Sequence, residues 1–160
     1  SHQMIRHLEI YTDASHCHVT GISTYAFKVE CERFTLNGRG LIGKRHEVRG
    51  STDAEVMAIR YAMNAYLYKT KDFSPRVRKI SIYSDCIPAF EQIEYGKSKI
   101  AKSTLYVKGL IWKNSYRPEI SYEFVRAHIG RETKPQWENY WLDITARSEL
   151  RKHVQKLKKS

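Results

Sequence analysis

Ile10-Tyr11-Thr12-Asp13 and Ile82-Tyr83-Ser84-Asp85 are nearly identical stretches, each an apolar run that favours a β-strand and ends on a hydroxyl residue followed by an aspartate. Side chains alternate along a strand, so each aspartate is in phase with the tyrosine two residues before it, and we expect it to leave the strand at the carboxyl end. If the two strands are parallel neighbours, the two carboxylates meet. Ligands of open α/β sheets bind outside the carboxyl ends of the strands, so the repeat predicts a paired acidic site there.

Such a carboxylate pair would need a counterion. Two unit charges about 4 Å apart repel by roughly 4 kcal/mol at an effective dielectric near 20. A divalent cation would relieve this repulsion, and the repeated aspartates therefore indicate a cation site.

The composition indicates one folded, basic domain. The chain has 160 residues and a formal net charge of +11, with 41% hydrophobic and 12% aromatic residues. A core of this size excludes a charged disordered tail, and the charge indicates a polyanionic partner. No apolar run approaches the ~20 residues of a membrane-spanning helix, so nucleic acid is favoured over a membrane.

Three cysteines, Cys17, Cys31 and Cys86, are an odd number without metal-ligand spacing, which indicates reduced thiols and a cytoplasmic protein. Residues 1–4 resemble an expression scar, and we expect 5–160 to form a single domain with a basic C-terminal tail. We expect the protein to be a monomer.

The hydrophobic pattern predicts an α/β fold, with three antiparallel strands first and helices packed on a mixed sheet. The segment from Asp13 to Gly21 is expected to turn, and Ser51-Thr52-Asp53 to cap the first helix. The expected strands are His7–Thr12, Ser23–Val29, Cys31–Arg39, Lys79–Ser84 and Glu119–Arg126. The expected helices are Ala54–Tyr68, Ile87–Tyr95, one within Gly96–Pro118, and Pro135 to about Gln155.

The segment Gly96–Pro118 contains six basic residues and no acidic one. Its apolar residues occur at helical spacing, so we expect a helix with a positive outer face. The basic residues are Lys97, Lys99, Lys102, Lys108, Lys113 and Arg117. The apolar residues expected to be buried are Leu105, Tyr106, Leu110, Ile111 and Trp112.

Two further acidic residues lie on predicted helices. Glu55 falls in the first turn of a helix whose Ile59 and Ala62 share its face, and that face must pack on the sheet. A carboxylate there either favours the positive end of the helix dipole or joins a site that pairs with it. Asp143 follows Asn139 by four residues, so both side chains project from one side of the last helix.

Five short motifs in this order resemble ribonuclease H of type 1, and the resemblance spans roughly Glu9 to Leu150. Each motif alone is common, but each one lies on the element where that family would place it. The motifs are Asp13-Ala14-Ser15, Ser51-Thr52-Asp53-Ala54-Glu55, Ser84-Asp85, Val125-Arg126-Ala127-His128-Ile129-Gly130 and Asn139-Tyr140-Trp141-Leu142-Asp143.

The resemblance implies a ribonuclease H-like fold, with a five-stranded sheet of three antiparallel and two parallel strands. It also implies that the enzyme cuts the RNA strand of an RNA:DNA hybrid, with His128 shuttling a proton or helping the product leave. Two Mg²⁺ ions, for which Mn²⁺ could substitute, suit such hard oxygen ligands. The ligands implied are Asp13, Glu55, Asp85 and Asp143.

Three polar residues beside these ligands, Ser15, Thr52 and Asn139, are candidate contacts to the nucleic acid, because hybrids are recognised through phosphates and 2′-hydroxyls. The family often has a phosphate pocket upstream of the glutamate, where Arg49 could substitute in this chain, or the DNA-strand phosphate could be held differently. The basic helix within Gly96–Pro118 could grip the substrate or could simply be a solvated face. The ten residues between His128 and Asn139 exceed the family's usual connection, and could touch nucleic acid or extend the start of the last helix.

Two alternatives remain open from sequence. The chain could be a catalytically silent nucleic-acid-binding module of the same fold, although the presence of all four carboxylates argues against it. It could also be another nuclease of the wider superfamily that acts on DNA, such as a junction resolvase or a transposase domain. The early-helix Glu55 and the His-x-Gly motif favour ribonuclease H over these.

Overall fold

Five strands and four helices make up the part of the chain that the computed structural model describes, residues 3–115, 117–127 and 130–159. The strands are β1 Met4–Cys17, β2 Ile22–Glu30, β3 Thr35–Leu41, β4 Arg76–Ser84 and β5 Glu119–Phe124. The helices are α1 Ser51–Lys69, α2 Ile87–Tyr95, α3 Lys99–Asn114 and α4 Lys134–Lys159. No helix in these ranges is long and apolar enough to cross a lipid bilayer.

All five strands belong to one sheet in the order β3-β2-β1-β4-β5. Strands β1, β2 and β3 pair antiparallel, whereas β4 pairs parallel with both β1 and β5. The mixed sheet expected from the sequence is therefore confirmed. Because β4 lies directly beside β1, the two repeated stretches are neighbours.

Helices cover both faces of the sheet. Ile10 and Ile82 face the main core, where they pack with α1, α2 and α3. The next residue of β1, Tyr11, points to the other face and packs with Leu142 and Ala146 of α4. This alternation follows from the two-residue period of a strand. Among the described helices, α4 is the one that packs on the second face, mainly against β1 and β2.

The expected turn beginning at Asp13 is wrong, because β1 continues to Cys17. Residues 13–17 pair with residues 26–22 of β2, and the hairpin closes only at Gly21, whose φ is 75°. The Gly21 N–H donates to the Cys17 carbonyl at 2.7 Å. Asp13 thus lies within a strand, whereas Asp85 directly follows β4 as expected.

The cap expected at the start of α1 is also wrong. Gly50 occupies the N-cap position, and among the described residues no side chain forms a capping hydrogen bond there. Asp53 instead accepts a hydrogen bond from the backbone N–H of Arg49 at 2.8 Å, two residues before the first helical one. This bond satisfies a backbone donor just outside the helix, and the Asp53 charge favours the positive end of the helix dipole.

The buried stripe of α3 differs from the expected one. Of the five apolar residues expected inside, Ile111 is buried and Leu110 half-buried, whereas Leu105, Tyr106 and Trp112 are exposed. The five residues lie at angles all around the helix, and packing against α1 and α2 selects the stripe that is buried. That stripe is Ile100, Ala101, Thr104, Val107 and Ile111.

The remaining strands and helices begin and end within a few residues of their expected bounds. Strand β3 begins at Thr35 because residues 31–34 form a turn, in which the Cys31 N–H donates to the Phe34 carbonyl at 3.0 Å. Helix α4 begins at Lys134 and runs to Lys159, so the basic C-terminal tail is helical over its described length.

Gly38→Ala should destabilise the fold. A Cβ at Gly38 of β3 would lie 2.3 Å from Cζ of the buried Phe27 ring on β2. The ring would have to move, at a cost of about 1–3 kcal/mol in the free energy of unfolding measured by urea denaturation. Gly109→Ala is the matched control, since a Cβ on α3 meets nothing within 4 Å. It should stabilise by about 0.5–1 kcal/mol, and equal effects at both glycines would contradict this packing.

Candidate metal centre

Three acidic side chains meet at one edge of the sheet. Asp13 of β1, Glu55 of α1 and Asp85 after β4 each offer a carboxylate oxygen, and these oxygens lie within 4.8 Å of one another. Tyr11 pairs with Tyr83 in the parallel ladder, so the aspartates two residues further on are in step. The pairing of two carboxylates expected from the repeat is thus observed. Within the described residues, this group could hold a metal ion.

The two tyrosines of the repeat support the aspartates. Their rings stack with centroids 4.5 Å apart and planes 8° from parallel. Tyr11 OH donates to Glu9 Oε2 at 2.8 Å, and Tyr83 OH donates to the same oxygen at 3.4 Å. Burial raises the pKa of the Tyr11 hydroxyl, and the hydrogen bond to Glu9 adds to this effect. The stack therefore remains neutral and fixes the relative position of β1 and β4 just before the carboxylates.

The carboxylates are withdrawn from water. Asp13 is 2% exposed and Glu55 8% exposed. Burial raises the pKa of Asp13 well above its ordinary value, with further contributions from the charges of Asp85 and Asp143. Burial likewise raises the pKa of Glu55, followed by the charges of Asp13 and Asp85. Like charges thus disfavour ionisation unless a cation is bound.

Two oxygens of this group have no protein partner among the described residues. Oδ2 of Asp13 and Oε1 of Glu55 are buried, and no described residue forms a hydrogen bond with them. Buried polar atoms are normally satisfied, and an orphaned carboxylate oxygen is costly. Hard oxygen donors that converge in this way fit a divalent cation.

Asp143, expected as a fourth ligand, lies beside this group rather than within it. It is half-buried on α4, and its Oδ2 accepts from Nη2 of Arg147 at 3.0 Å. Its negative charge is close enough to raise the pKa of Asp13. The structure therefore brings three of the four expected carboxylates together and places the fourth one on the neighbouring helix.

The expected nucleic-acid contacts fall into two sets. Ser15 lies two residues beyond Asp13 on the same face of β1, and Asn139 is buried on α4 one turn before Asp143. These two residues thus border the carboxylates. Burial raises the pKa of the Cys86 thiol, which follows Asp85 directly, and Thr52 in the first turn of α1 partly offsets this effect.

Arg49 is exposed, and its Nε lies 3.4 Å from Asp53 Oδ2, so it pairs with the first turn of α1. His128 lies outside the described residues.

Sequence reasoning missed how α4 begins. Thr133 Oγ1 accepts from the Gln136 N–H at 3.3 Å, and Gln136 Oε1 accepts from the Thr133 N–H at 3.1 Å. This reciprocal pair is a capping box, whose Thr-x-x-Gln pattern is visible in the sequence. It fixes the register of α4, and hence the positions of Asn139 and Asp143. The long connection before Asn139 therefore extends the start of the helix, which is one of its two expected roles.

Solved structures match this chain over nearly its whole length, although no protein-family model and no curated protein sequence matches it. The N-terminal RNase H domain of Rv2228c from Mycobacterium tuberculosis superposes with a TM-score of 0.62 at 14% identity, covering 95% of this chain and 99% of that one. The chain has a ribonuclease H-like fold.

Two further solved structures are also similar to this chain in fold. RNase H1 from the halophilic archaeon Halobacterium salinarum NRC-1 has a TM-score of 0.60 at 15% identity, covering 91% of this chain and 98% of that one. LC11-RNase H1, solved in complex with an RNA/DNA hybrid, has a TM-score of 0.61 at 16% identity, covering 92% of this chain and 99% of that one. At such identities the likeness establishes the ribonuclease H-like fold, and function has to be argued from the site.

Asp13→Asn should stabilise the metal-free protein. The amide keeps the shape of the carboxylate but removes a buried charge that Asp85 and Asp143 repel. We expect the free energy of unfolding to rise by about 1–3 kcal/mol near neutral pH in the presence of a chelator. Asp72→Asn, at an exposed aspartate in the α1–β4 connection, is the control and should change little. A loss of stability in Asp13→Asn would show that the carboxylates do not repel.

The contribution of Asp13 and Glu55 to the stability of the metal-free protein should fall as pH rises. Because the pKa values of Asp13 and Glu55 are raised on folding, the folded state holds protons that the unfolded chain has already released. Their contribution to the free energy of unfolding therefore decreases from about pH 4, the ordinary carboxyl range, towards neutrality. Added Mg²⁺ should oppose this loss, so its effect on Tm should grow between about pH 5 and about pH 8. A Mg²⁺ effect that is independent of pH, or that survives in Asp13→Asn, would contradict this site.

Proposed function

We propose that the protein is a metal-dependent endoribonuclease that hydrolyses the RNA strand of RNA:DNA hybrids. The observation that carries this proposal is the convergence of Asp13, Glu55 and Asp85 at one edge of a ribonuclease H-like sheet. Asp13 and Glu55 each have a buried oxygen with no hydrogen-bond partner in the part of the chain that the structure describes. The likeness to LC11-RNase H1, whose structure contains an RNA/DNA hybrid, supports the substrate class. The net charge of +11 fits a polyanionic substrate.

The ligands we propose are Asp13, Glu55 and Asp85, joined by Asp143, for two Mg²⁺ ions or Mn²⁺ in their place. When bound, such ions supply an activated water and neutralise charge during displacement at phosphorus. Burial and the neighbouring negative charges raise the pKa of both Asp13 and Glu55, so a bound cation would favour the ionised form of these carboxyls. The Arg147 guanidinium holds Asp143 through its 3.0 Å contact and so orients that carboxylate.

Polar groups around the carboxylates would position the RNA strand. The Asn139 side chain lies buried one turn before Asp143, where its amide can donate to a phosphate or 2′-hydroxyl oxygen. Ser15 offers a hydroxyl from the same face of β1 as Asp13. We propose that His128 moves a proton or helps the product leave. Thr52 and Arg49, held at the start of α1, would contact nearby phosphates.

The outer face of α3 is the proposed grip on the duplex. Lys102 and Lys113 are exposed, as are the flanking Lys97, Lys99 and Arg117. Lys108 is not part of this face, because it pairs with Glu94 and also donates to Tyr122 OH at 3.1 Å. Cations along one helix and its ends can neutralise several phosphates of a duplex.

Cleavage of a hybrid tests the proposed function. With Mg²⁺ the protein should cut the RNA strand of a labelled RNA:DNA duplex, and activity should disappear with a chelator. Asp13→Asn and Asp85→Asn should each lower the rate by roughly 10³-fold or more, because each removes a proposed ligand. Asp72→Asn is the control. Undiminished cleavage in either variant would refute the assignment.

The same assay separates the alternatives. Double-stranded RNA and branched DNA are assayed as substrates in parallel with the hybrid. A preference for branched DNA would favour a different nuclease of this fold, and binding of the hybrid without any metal-dependent cut would favour a silent module.

Neutralising α3 should weaken hybrid binding without abolishing it. In Lys102→Gln and Lys113→Gln we expect the slope of log affinity against log salt to become shallower by up to about 0.9 for each phosphate that the protein no longer neutralises. Lys71→Gln, at an exposed lysine after α1, is the matched control for charge. The slopes are measured by titrating each protein with the hybrid at several salt concentrations. Unchanged slopes in both α3 variants would show that α3 does not contact the hybrid.

A further inference from the structure

Three large aromatic side chains lie together on the outer surface at the start of α4. Trp137, Tyr140 and Trp141 are 45%, 37% and 47% exposed. Their ring centroids are 5.4–6.5 Å apart, and Trp141 meets both other rings edge-on. The Arg131 guanidinium stacks over the Tyr140 ring at 4.4 Å from its centroid. We call these four residues the α4 aromatic cluster.

The cluster contributes little to the core. Helix α4 packs on the sheet through a different stripe, which includes Asn139, Leu142 and Ala146. Contiguous exposed aromatic surface is uncommon on a soluble protein and normally marks a binding site. Since these rings keep about two-fifths of their surface in water, a ligand that covers them would gain hydrophobic and stacking energy.

The cluster is held in a fixed arrangement. The capping box of Thr133 and Gln136 sets the first turn of α4, and Trp137 N–H donates to the Thr133 carbonyl at 2.9 Å. Arg131, two residues before Thr133, is positioned by its stacking on Tyr140. A ligand would therefore meet a surface that is already ordered, which reduces the entropy cost of binding.

The cluster adjoins the proposed catalytic edge. Tyr140 directly follows Asn139 and precedes Asp143 by three residues, so Tyr140 and Asp143 are neighbours on the helix surface, with Cβ atoms roughly 5–6 Å apart. Arg147 and Arg151 continue along the same side of α4 and are exposed. Rings and cations thus follow one another along a path that begins beside the carboxylates.

We propose that the α4 aromatic cluster is a stacking platform for unpaired nucleobases, where a single-stranded segment leaves the duplex held at the metal centre. Every base has a π-face, so stacking on tyrosine and tryptophan does not depend on sequence. Arg131 and Arg151 would meet the phosphates of the same segment. The proposal extends the proposed function and rests on it for the duplex, but binding of the single strand requires no metal.

Binding of a single-stranded oligouridylate of about 12 nucleotides, measured with chelator present, tests the platform. Tryptophan fluorescence of the wild-type protein should be quenched on binding. The double variant Trp137→Ala/Trp141→Ala should bind roughly 10- to 100-fold more weakly by anisotropy of a labelled oligonucleotide. Phe73→Ala is the matched control, because Phe73 is an aromatic residue that is 57% exposed in the α1–β4 connection, outside both proposed interfaces. Trp137→Phe/Trp141→Phe should retain most of the affinity, and thermal unfolding verifies that each variant folds.

A second measurement compares a blunt hybrid with one that carries a single-stranded overhang. The wild-type protein should bind the overhang substrate more tightly, and the double alanine variant should lose this preference while still binding the blunt hybrid normally. Equal affinity of both proteins for the oligouridylate would overturn the proposal, and so would a defect confined to self-association in sedimentation. Failure of metal-dependent cleavage would refute the proposed function and leave this metal-free binding result to stand by itself.

Discussion

The parallel pairing of β1 with β4, in the register that places Tyr11 beside Tyr83, is the constraint on which the rest of the structure depends. It carries Asp13 and Asp85 to the same edge, and the stacked tyrosines and Glu9 fix the two strands just before them. A slip of one residue would turn one aspartate to the opposite face, because side chains alternate along a strand. The acidic centre therefore exists only in this register.

This centre lowers the stability of the metal-free protein. Asp13 and Glu55 are buried beside like charges, and the core built by α1, α2 and α3 against the sheet must compensate for that repulsion. The orphaned oxygens of these carboxylates find no donor among the described residues, so the fold suits a cation there better than an internal ion pair. Metal binding favours negative charges held close together, whereas the stability of the metal-free protein is reduced by the same charges.

Helix α4 combines three tasks on adjacent sides. Leu142 and Ala146 pack on Tyr11 of the sheet, the charge of Asp143 raises the pKa of Asp13, and Tyr140 belongs to the exposed aromatic cluster. The 3.6-residue period of a helix makes this separation possible. Because the capping box at Thr133 sets the start of the helix, it fixes all three sides at once.

Local sequence by itself determined the strands and helices, the repeated Ile-Tyr-hydroxyl-Asp stretches and the approximate bounds of α1 and α2, since these depend on side-chain period and turn chemistry. Tertiary structure alone decided that β1 continues past Asp13, because the ladder with β2 outweighs a local turn preference. It also selected which residues of α3 are buried, and it left Asp143 beside the three gathered carboxylates. The physical reason is that burial and strand pairing are non-local energies, which short segments of sequence do not contain.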